Sequence, residues 1–140
     1  MLYSIKANPS LAVTSTLQRG GAGAEIASLG ELHLALAAGH PAAALRFAGP
    51  GKTDGEIDAA IAAGVGCFHA ESADEVLAIA AAARARQQRA GIAVRVNFPF
   101  ELRGSRLRMG GRHARFGVDA EQVPELLRTI GALPELTLRG

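Results

Sequence analysis

Short apolar runs alternate along the chain with longer stretches in which apolar residues recur every three to four positions. The runs predict strands, whereas a period near 3.6 residues is typical of helices that bury one face. We predict strands over 2–5, 24–27, 45–48, 65–68 and 92–96, with a sixth beginning at 136–138. Buried helix faces are predicted for Ile57, Ala60, Ile61 and Gly64, for Val76, Ile79, Ala80 and Ala83, and for Val123, Leu126, Leu127 and Ile130.

Polar capping residues mark the starts of the predicted helices. Ser28, Thr53 and Ser72 are each followed three residues later by a glutamate, which is the capping-box pattern. Asn8 is predicted to cap the first helix, with Pro9 at its first position, where a missing N–H is tolerated. Each predicted strand is therefore followed by a predicted helix.

Strands that alternate with one-faced helices predict βα units around a parallel sheet. The G-x-G-x-x-G pattern of dinucleotide-binding sheets does not follow the first strand, so a (β/α) barrel is favoured. A complete eight-stranded barrel typically takes about 250 residues. We therefore expect an α/β fold in which residues 1–140 form one incomplete (β/α)8 TIM-type barrel domain of five or six units.

Composition narrows the possible partners. A net charge of only +2 and an aromatic content of 4% argue against nucleic acid binding. The longest apolar stretches are interrupted by Gly, Arg or Asp, so no membrane span is predicted. The lone cysteine, Cys67, excludes an internal disulfide and fits a cytoplasmic protein.

The groups with reactive potential follow the predicted strands, where barrel enzymes place their chemistry. Lys6 lies at the end of the first strand. A lysine buried there would have a lowered pKa and a nucleophilic amine, as a Schiff base with a carbonyl cofactor requires. The alternative is a surface lysine whose stem lies along the strand end. The other candidates at strand ends are Glu25 with Ser28 and Glu31, the 49–53 loop, His69 with Glu71, and Arg95 with Asn97.

Two of these candidates have ordinary structural explanations. The sequence GPGKT at 49–53 resembles a P-loop, but Arg46 stands where that motif requires its first glycine. Glu31 can cap its own helix by bonding the backbone N–H of Ser28, or it can contribute to a cofactor site. His69 has no second His or Cys at ligand spacing, so we predict no metal site.

Five arginines cluster between the fifth strand and the next helix. A long loop of this kind could bind a phosphate, a carboxylate or an acidic partner protein, or it could be a solvated basic loop. The arginines are Arg103, Arg106, Arg108, Arg112 and Arg115.

Six short segments, distributed along most of the chain, resemble one known family and occur in the same order as in that family. They are 3–9 (YSIKANP), 24–32 (AEIASLGEL), 47–54 (FAGPGKTD), 71–72 (ES), 95–97 (RVN) and 115–119 (RFGVD). Together they resemble the fold-type III pyridoxal-phosphate-dependent decarboxylases, the ornithine/diaminopimelate decarboxylase family. A racemase-like barrel with the same cofactor matches the 47–54 and 115–119 segments less well.

The resemblance implies pyridoxal phosphate as cofactor and an amino acid as substrate. Lys6 would be the catalytic residue that forms the Schiff base, and the cofactor would stabilise the carbanion left when carbon dioxide departs. Glu25, Glu31 and Arg95 would line the cofactor pocket with Lys6. Glu25 matches a position where many members carry aspartate. A homodimer is implied for the full-length enzyme.

One subgroup of the family looks most similar, on the strength of residues 96–105 and 109–111. Its members act in biosynthetic pathways, and some decarboxylate an aminoacyl group held on an acyl-carrier protein. The arginine-rich loop would suit an acidic carrier. Arg112 and the pair Ala114-Arg115 depart from the subgroup pattern.

Several segments of the family are missing from these 140 residues. They are a Phe-His strand, a glycine-rich phosphate loop, a Glu-Pro-Gly-Arg segment and a carboxyl-terminal β-domain. We therefore expect an amino-terminal barrel fragment that is inactive by itself. The alternative is a catalytically inactive half-barrel or a non-catalytic interaction domain.

Overall fold

The computed structural model describes residues 1–98 and 116–140. The strands are β1 (Leu2–Ser4), β2 (Gly23–Ile26), β3 (Leu45–Phe47), β4 (Cys67–Ala70), β5 (Ala90–Val94), β6 (Val96–Asn97), β7 (Val118–Asp119) and β8 (Leu136–Leu138). The helices are α1 (Leu11–Arg19), α2 (Leu29–Ala37), α3 (Asp54–Ala63), α4 (Ala73–Ala85) and α5 (Val123–Gly131), and 3₁₀ turns lie at Ile5–Ala7 and Ala42–Ala44.

The main sheet has six parallel strands in the order β1-β2-β3-β4-β5-β8. Helices α1 to α4 each connect one strand to its neighbour, as βα units require. Strands β6 and β7 form a separate parallel pair beyond the carboxyl end of β5. The α/β class and the parallel sheet of βα units are confirmed.

The core lies between the sheet and the helices, where Phe47 and Phe68 stack with ring centroids 6.0 Å apart. The predicted helix faces are largely buried in it, but Leu127 is 37% exposed at the margin of its stripe. Gly64 belongs to no helix face, because it ends α3 in a left-handed conformation with φ 80°. The buried members of the predicted faces are Ile57, Ala60, Ile61, Val76, Ile79, Ala80, Ala83, Leu126 and Ile130.

Three helix starts were predicted correctly. The hydroxyls of Ser28, Thr53 and Ser72 accept hydrogen bonds from the backbone N–H three residues later. The start of the first helix was predicted incorrectly, because the chain forms a 3₁₀ turn after β1 and stays extended at Asn8. Ser10 occupies the N-cap position instead, and its own N–H donates to the Asn8 side chain.

The bounds of β1 to β3 agree with the prediction to within one residue, whereas those of the next two strands differ by two residues. Strand β4 begins at Cys67 because Gly64 to Gly66 complete the turn out of α3. The predicted fifth strand is divided at Arg95, since Ala90–Val94 pairs with β4 and β8 whereas Val96–Asn97 pairs with β7. Arg95 therefore lies at a junction between two sheets.

Candidate functional site

A cavity of about 660 Å³ opens at the carboxyl ends of the parallel strands. Parallel βα folds bind their ligands at this end of the sheet. Small residues such as Ala27, Ala48 and Ala93 leave the space open. The charged, polar and aromatic side chains at its wall are Lys6, Glu25, His69, Arg95 and Phe116.

Lys6 projects into this cavity from the 3₁₀ turn Ile5–Ala7. Its Nζ lies 3.9 Å from Glu25 Oε1, and the Ser4 hydroxyl donates to the same oxygen at 3.2 Å. Of the two positions that the sequence left open for Lys6, the exposed one is found, because its side chain is 66% exposed. Strand β1 ends two residues before it, so the amine reaches open space instead of the core.

Arg95 faces the same cavity from the junction after β5. Its Nη1 donates to Glu71 Oε1 at 3.0 Å, and its guanidinium lies 4.8 Å from the centroid of the Phe116 ring. An ion pair on one side and an aromatic ring on the other limit the orientations open to the guanidinium. Arg95 thus presents a positive charge in a defined position.

Glu71 is a buried carboxylate whose bonding partners the sequence did not predict. Besides Arg95, it accepts hydrogen bonds from the backbone N–H groups of Gly49 at 3.0 Å and Gly117 at 3.1 Å. Its side chain is 3% exposed. The sequence marked it by its place after a predicted strand and by the 71–72 segment that the family shares, but neither predicts these bonds.

Lys52 is a buried lysine, with a side chain that is 1% exposed. Its ammonium donates to the carbonyl oxygens of Gly49 at 2.7 Å and His69 at 2.9 Å, and to the Glu75 carboxylate. Three donors and three acceptors satisfy the group completely. Lys52 is therefore a structural residue, in agreement with the rejection of a P-loop.

Glu31 is not brought together with the other predicted cofactor residues. Its Oε2 accepts a hydrogen bond at 2.6 Å from the N–H of Ala27, one residue before the Ser28 N–H that the capping box predicts. Ala27 lies at the cavity wall, so Glu31 holds the backbone of a wall residue without lining the cavity itself. Its role in cofactor binding stays a prediction.

His69 is a cavity residue whose position the sequence left open between a loop end and the core. Burial lowers the pKa of its imidazole below 6.5, and this effect outweighs the opposing attraction of the Glu25 carboxylate. At neutral pH the ring is therefore uncharged and can both donate and accept a hydrogen bond.

The free energy of unfolding should fall as the pH drops from 6.5 towards 4.5. The pKa of His69 and that of the buried His40 are both lowered in the folded protein, so the unfolded chain binds protons first as the pH passes below 6.5. Replacing His69 with glutamine should reduce this fall. Urea unfolding of the unmodified protein and of His69→Gln across this pH range measures the fall in each. His33→Gln, at an exposed position, is the control. A fall of equal size in His69→Gln would contradict the assignment.

Some predicted features lie outside the described residues. They are all five clustered arginines and most of the subgroup-specific segments. Within the described ranges, no three His, Cys, Asp or Glu side chains lie close enough to hold a metal ion. None of the helices described has both the length and the apolar character that crossing a membrane requires.

Solved structures of two decarboxylases share this fold. Diaminopimelate decarboxylase from Helicobacter pylori, complexed with L-lysine, matches 99% of this chain and 36% of its own, with a TM-score of 0.93 and 27% identity. The corresponding M. jannaschii enzyme matches 100% of this chain and 33% of its own, with a TM-score of 0.89 and 28% identity. This likeness confirms the partial barrel.

Sequence relatives agree with the structural ones. L-glutamyl-[BtrI acyl-carrier protein] decarboxylase of Niallia circulans is 33% identical over 93% of the chain and 30% of its own length. Diaminopimelate decarboxylase of Vibrio cholerae is 33% identical over 99% of the chain and 33% of its own length. The chain thus spans about a third of the length of these relatives.

The family comparison covers every residue. Residues 1–140 match the family described as pyridoxal-dependent decarboxylase, pyridoxal binding domain. The cavity lined by Lys6, Glu25 and Arg95 lies in the part of the fold that this family shares. The chain therefore belongs to the pyridoxal-phosphate-dependent decarboxylases and corresponds to their pyridoxal-binding domain.

Proposed function

We propose that Lys6 is the residue to which pyridoxal phosphate attaches, in a protein that decarboxylates an amino acid. The observation that carries this proposal is an accessible primary amine in a cavity of about 660 Å³, held 3.9 Å from a carboxylate. Lys52, the other lysine of the sequence, is buried and fully bonded. Lys6 is thus the lysine whose amine a carbonyl compound can reach.

The residues around the cavity fit this cofactor. A primary amine provides the attachment point for an aldehyde, and the positive charge of Arg95 favours an anionic ligand. The small side chains of Ala27, Ala48 and Ala93 leave room for a planar ring. Glu31 has no direct contact with the cavity, so we propose that it acts through the Ala27 N–H that it holds.

The polar side chains around the cavity would orient the reacting groups. Glu25 attracts the Lys6 ammonium, and the Ser4 hydroxyl fixes the Glu25 oxygen that faces it. Arg95 would attract the carboxylate of an amino acid or an anionic part of the cofactor. His69, uncharged at neutral pH, can exchange a proton through its ring nitrogens. When bound, the cofactor supplies an electron sink for the electron pair released as carbon dioxide leaves.

The relatives support two substrate classes. Several are diaminopimelate decarboxylases, and one acts on a glutamyl group held on an acyl-carrier protein. We propose an amino acid of the diaminopimelate or ornithine type, or a carrier-bound aminoacyl group, as the substrate. A homodimer and a cytoplasmic location belong to the same proposal, and the free, buried thiol of Cys67 supports the location.

A non-catalytic interaction domain is the second candidate. Strands β1 and β8 each have one hydrogen-bonded neighbour within the described part of the main sheet. Such edges can pair with further strands. This candidate requires no cofactor, so a cofactor test separates the two.

Incubation with pyridoxal phosphate followed by borohydride reduction tests the proposal. Reduction makes the bond between the cofactor and an amine permanent, and peptide mapping by mass spectrometry then locates it. We expect the label on Lys6 and none on Lys52. Protein treated with cofactor that was reduced beforehand is the control. A label confined to Lys52 or to the Met1 amine, or no label, would contradict the proposed role of Lys6.

A further inference from the structure

We propose that Glu71 is a positioning residue that holds three parts of the cavity wall in place. This inference rests on the function proposed above and adds a residue that does not itself face the cavity. Arg95 and Gly49 lie at the wall, and Gly117 directly follows the wall residue Phe116. Each of the three donates a hydrogen bond to Glu71.

The three donors come from separate segments of the chain. Gly49 follows β3, Arg95 lies between β5 and β6, and Gly117 precedes β7. Glu71 Oε1 accepts from Gly49 and Arg95, and Oε2 accepts from Gly117. One carboxylate therefore connects segments that have no shared helix or hairpin.

The backbone of Gly49 is held in a defined conformation at the cavity wall. Its backbone has φ 115°, a conformation that favours glycine. Its N–H donates to Glu71 and its carbonyl oxygen accepts from Lys52. Two buried side chains of opposite charge thus hold both peptide groups of the residue, and they set the direction in which the 49–51 turn enters the cavity.

A carboxylate is needed at position 71 because all of its partners are donors. Glutamine has nearly the same volume, but one of its two terminal atoms is an N–H₂ group. That group would face at least one N–H donor in a site shielded from water. Because two donors cannot bond each other, the hydrogen bond to that N–H would be lost. Glu71→Gln therefore disturbs the wall without opening a cavity in the core.

The affinity for pyridoxal phosphate, measured by titration of its absorbance, tests the proposal. We expect Glu71→Gln to weaken binding roughly tenfold, as is typical when a group that orients a ligand-binding residue is removed. In an Arg95→Gln background the same change should weaken binding no more than about threefold, because part of the effect passes through Arg95. The exposed Glu121→Gln is the matched control and should bind like the unmodified protein.

Equal losses in the two backgrounds, or no loss in either, would overturn the positioning role. Amide hydrogen exchange at Gly49 and Gly117 provides a readout that does not need the cofactor. Both amides should exchange at least tenfold faster in Glu71→Gln than in Glu121→Gln, and unchanged exchange would overturn the inference. If the unmodified protein binds no pyridoxal phosphate while these amides still respond, the proposed function fails and the role of Glu71 in the wall stands.

Discussion

Replacing Lys6 with alanine is expected to abolish the visible absorbance of protein-bound pyridoxal phosphate together with any decarboxylase activity. The structure offers no substitute amine from the other lysine, because Lys52 is 1% exposed and its three N–H donors are bonded to Gly49, His69 and Glu75. Moving Lys52 into the cavity would leave the Glu75 charge without its partner, at a cost of several kcal/mol.

Lys6→Arg is the matched control for charge. Arginine keeps a cation near Glu25 but does not form the covalent bond with an aldehyde that an amine forms. Both variants should lose the absorbance, and both should keep the unfolding transition of the unmodified protein because the Lys6 side chain is 66% exposed. Bound-cofactor absorbance that survives in Lys6→Ala would show that attachment occurs elsewhere.

Lys52→Met should lower the free energy of unfolding by about 3–5 kcal/mol, the range typical when one partner of a buried ion pair is removed. Methionine fills a similar volume, so the decrease in the free energy of unfolding comes from the lost ion pair and hydrogen bonds and not from packing. The Glu75 carboxylate, 9% exposed, would remain without its cation. The carbonyl oxygens of Gly49 and His69 would also lose their donor. Urea unfolding followed by circular dichroism measures the change.

Arg86→Met provides the comparison at the surface. Arg86 pairs with Asp58 through two hydrogen bonds of 2.6 Å, but both side chains are exposed to water and salt. Arg86→Met should therefore lower the free energy of unfolding by far less than Lys52→Met does. Adding Glu75→Gln to Lys52→Met should recover part of the stability, since the unpaired charge is then removed. Equal losses in Lys52→Met and Arg86→Met would show that the buried pair is not a major source of stability.

Features determined by neighbouring residues were predictable from the sequence. Ser28, Thr53 and Ser72 begin their helices as expected, because each cap depends on contacts within three residues. The first helix was misplaced because the 3₁₀ turn after β1 moves the cap from Asn8 to Ser10. Periodicity alone contains no signal for such a turn.

The candidate site was predictable only in part. The positions of Lys6, Glu25 and Arg95 at strand ends led to the cavity, because parallel strands bring their carboxyl ends to one edge. The roles of Glu71 and Lys52 were not predictable, since their partners are distant in the sequence. Nothing near Glu71 in the sequence distinguishes a carboxylate that bonds Gly117 from an ordinary helix-capping glutamate.

The spacing of the bonds to Glu71 has a consequence for the order in which the protein folds. They join residues 22, 24 and 46 positions apart, whereas each helix cap spans three. Closing long loops is slower than forming local structure. During synthesis, both partners of a helix cap leave the ribosome within three residues of each other, but the wall is complete only after Gly117 has emerged. The cavity wall, and with it the cofactor site that we propose there, is thus completed late.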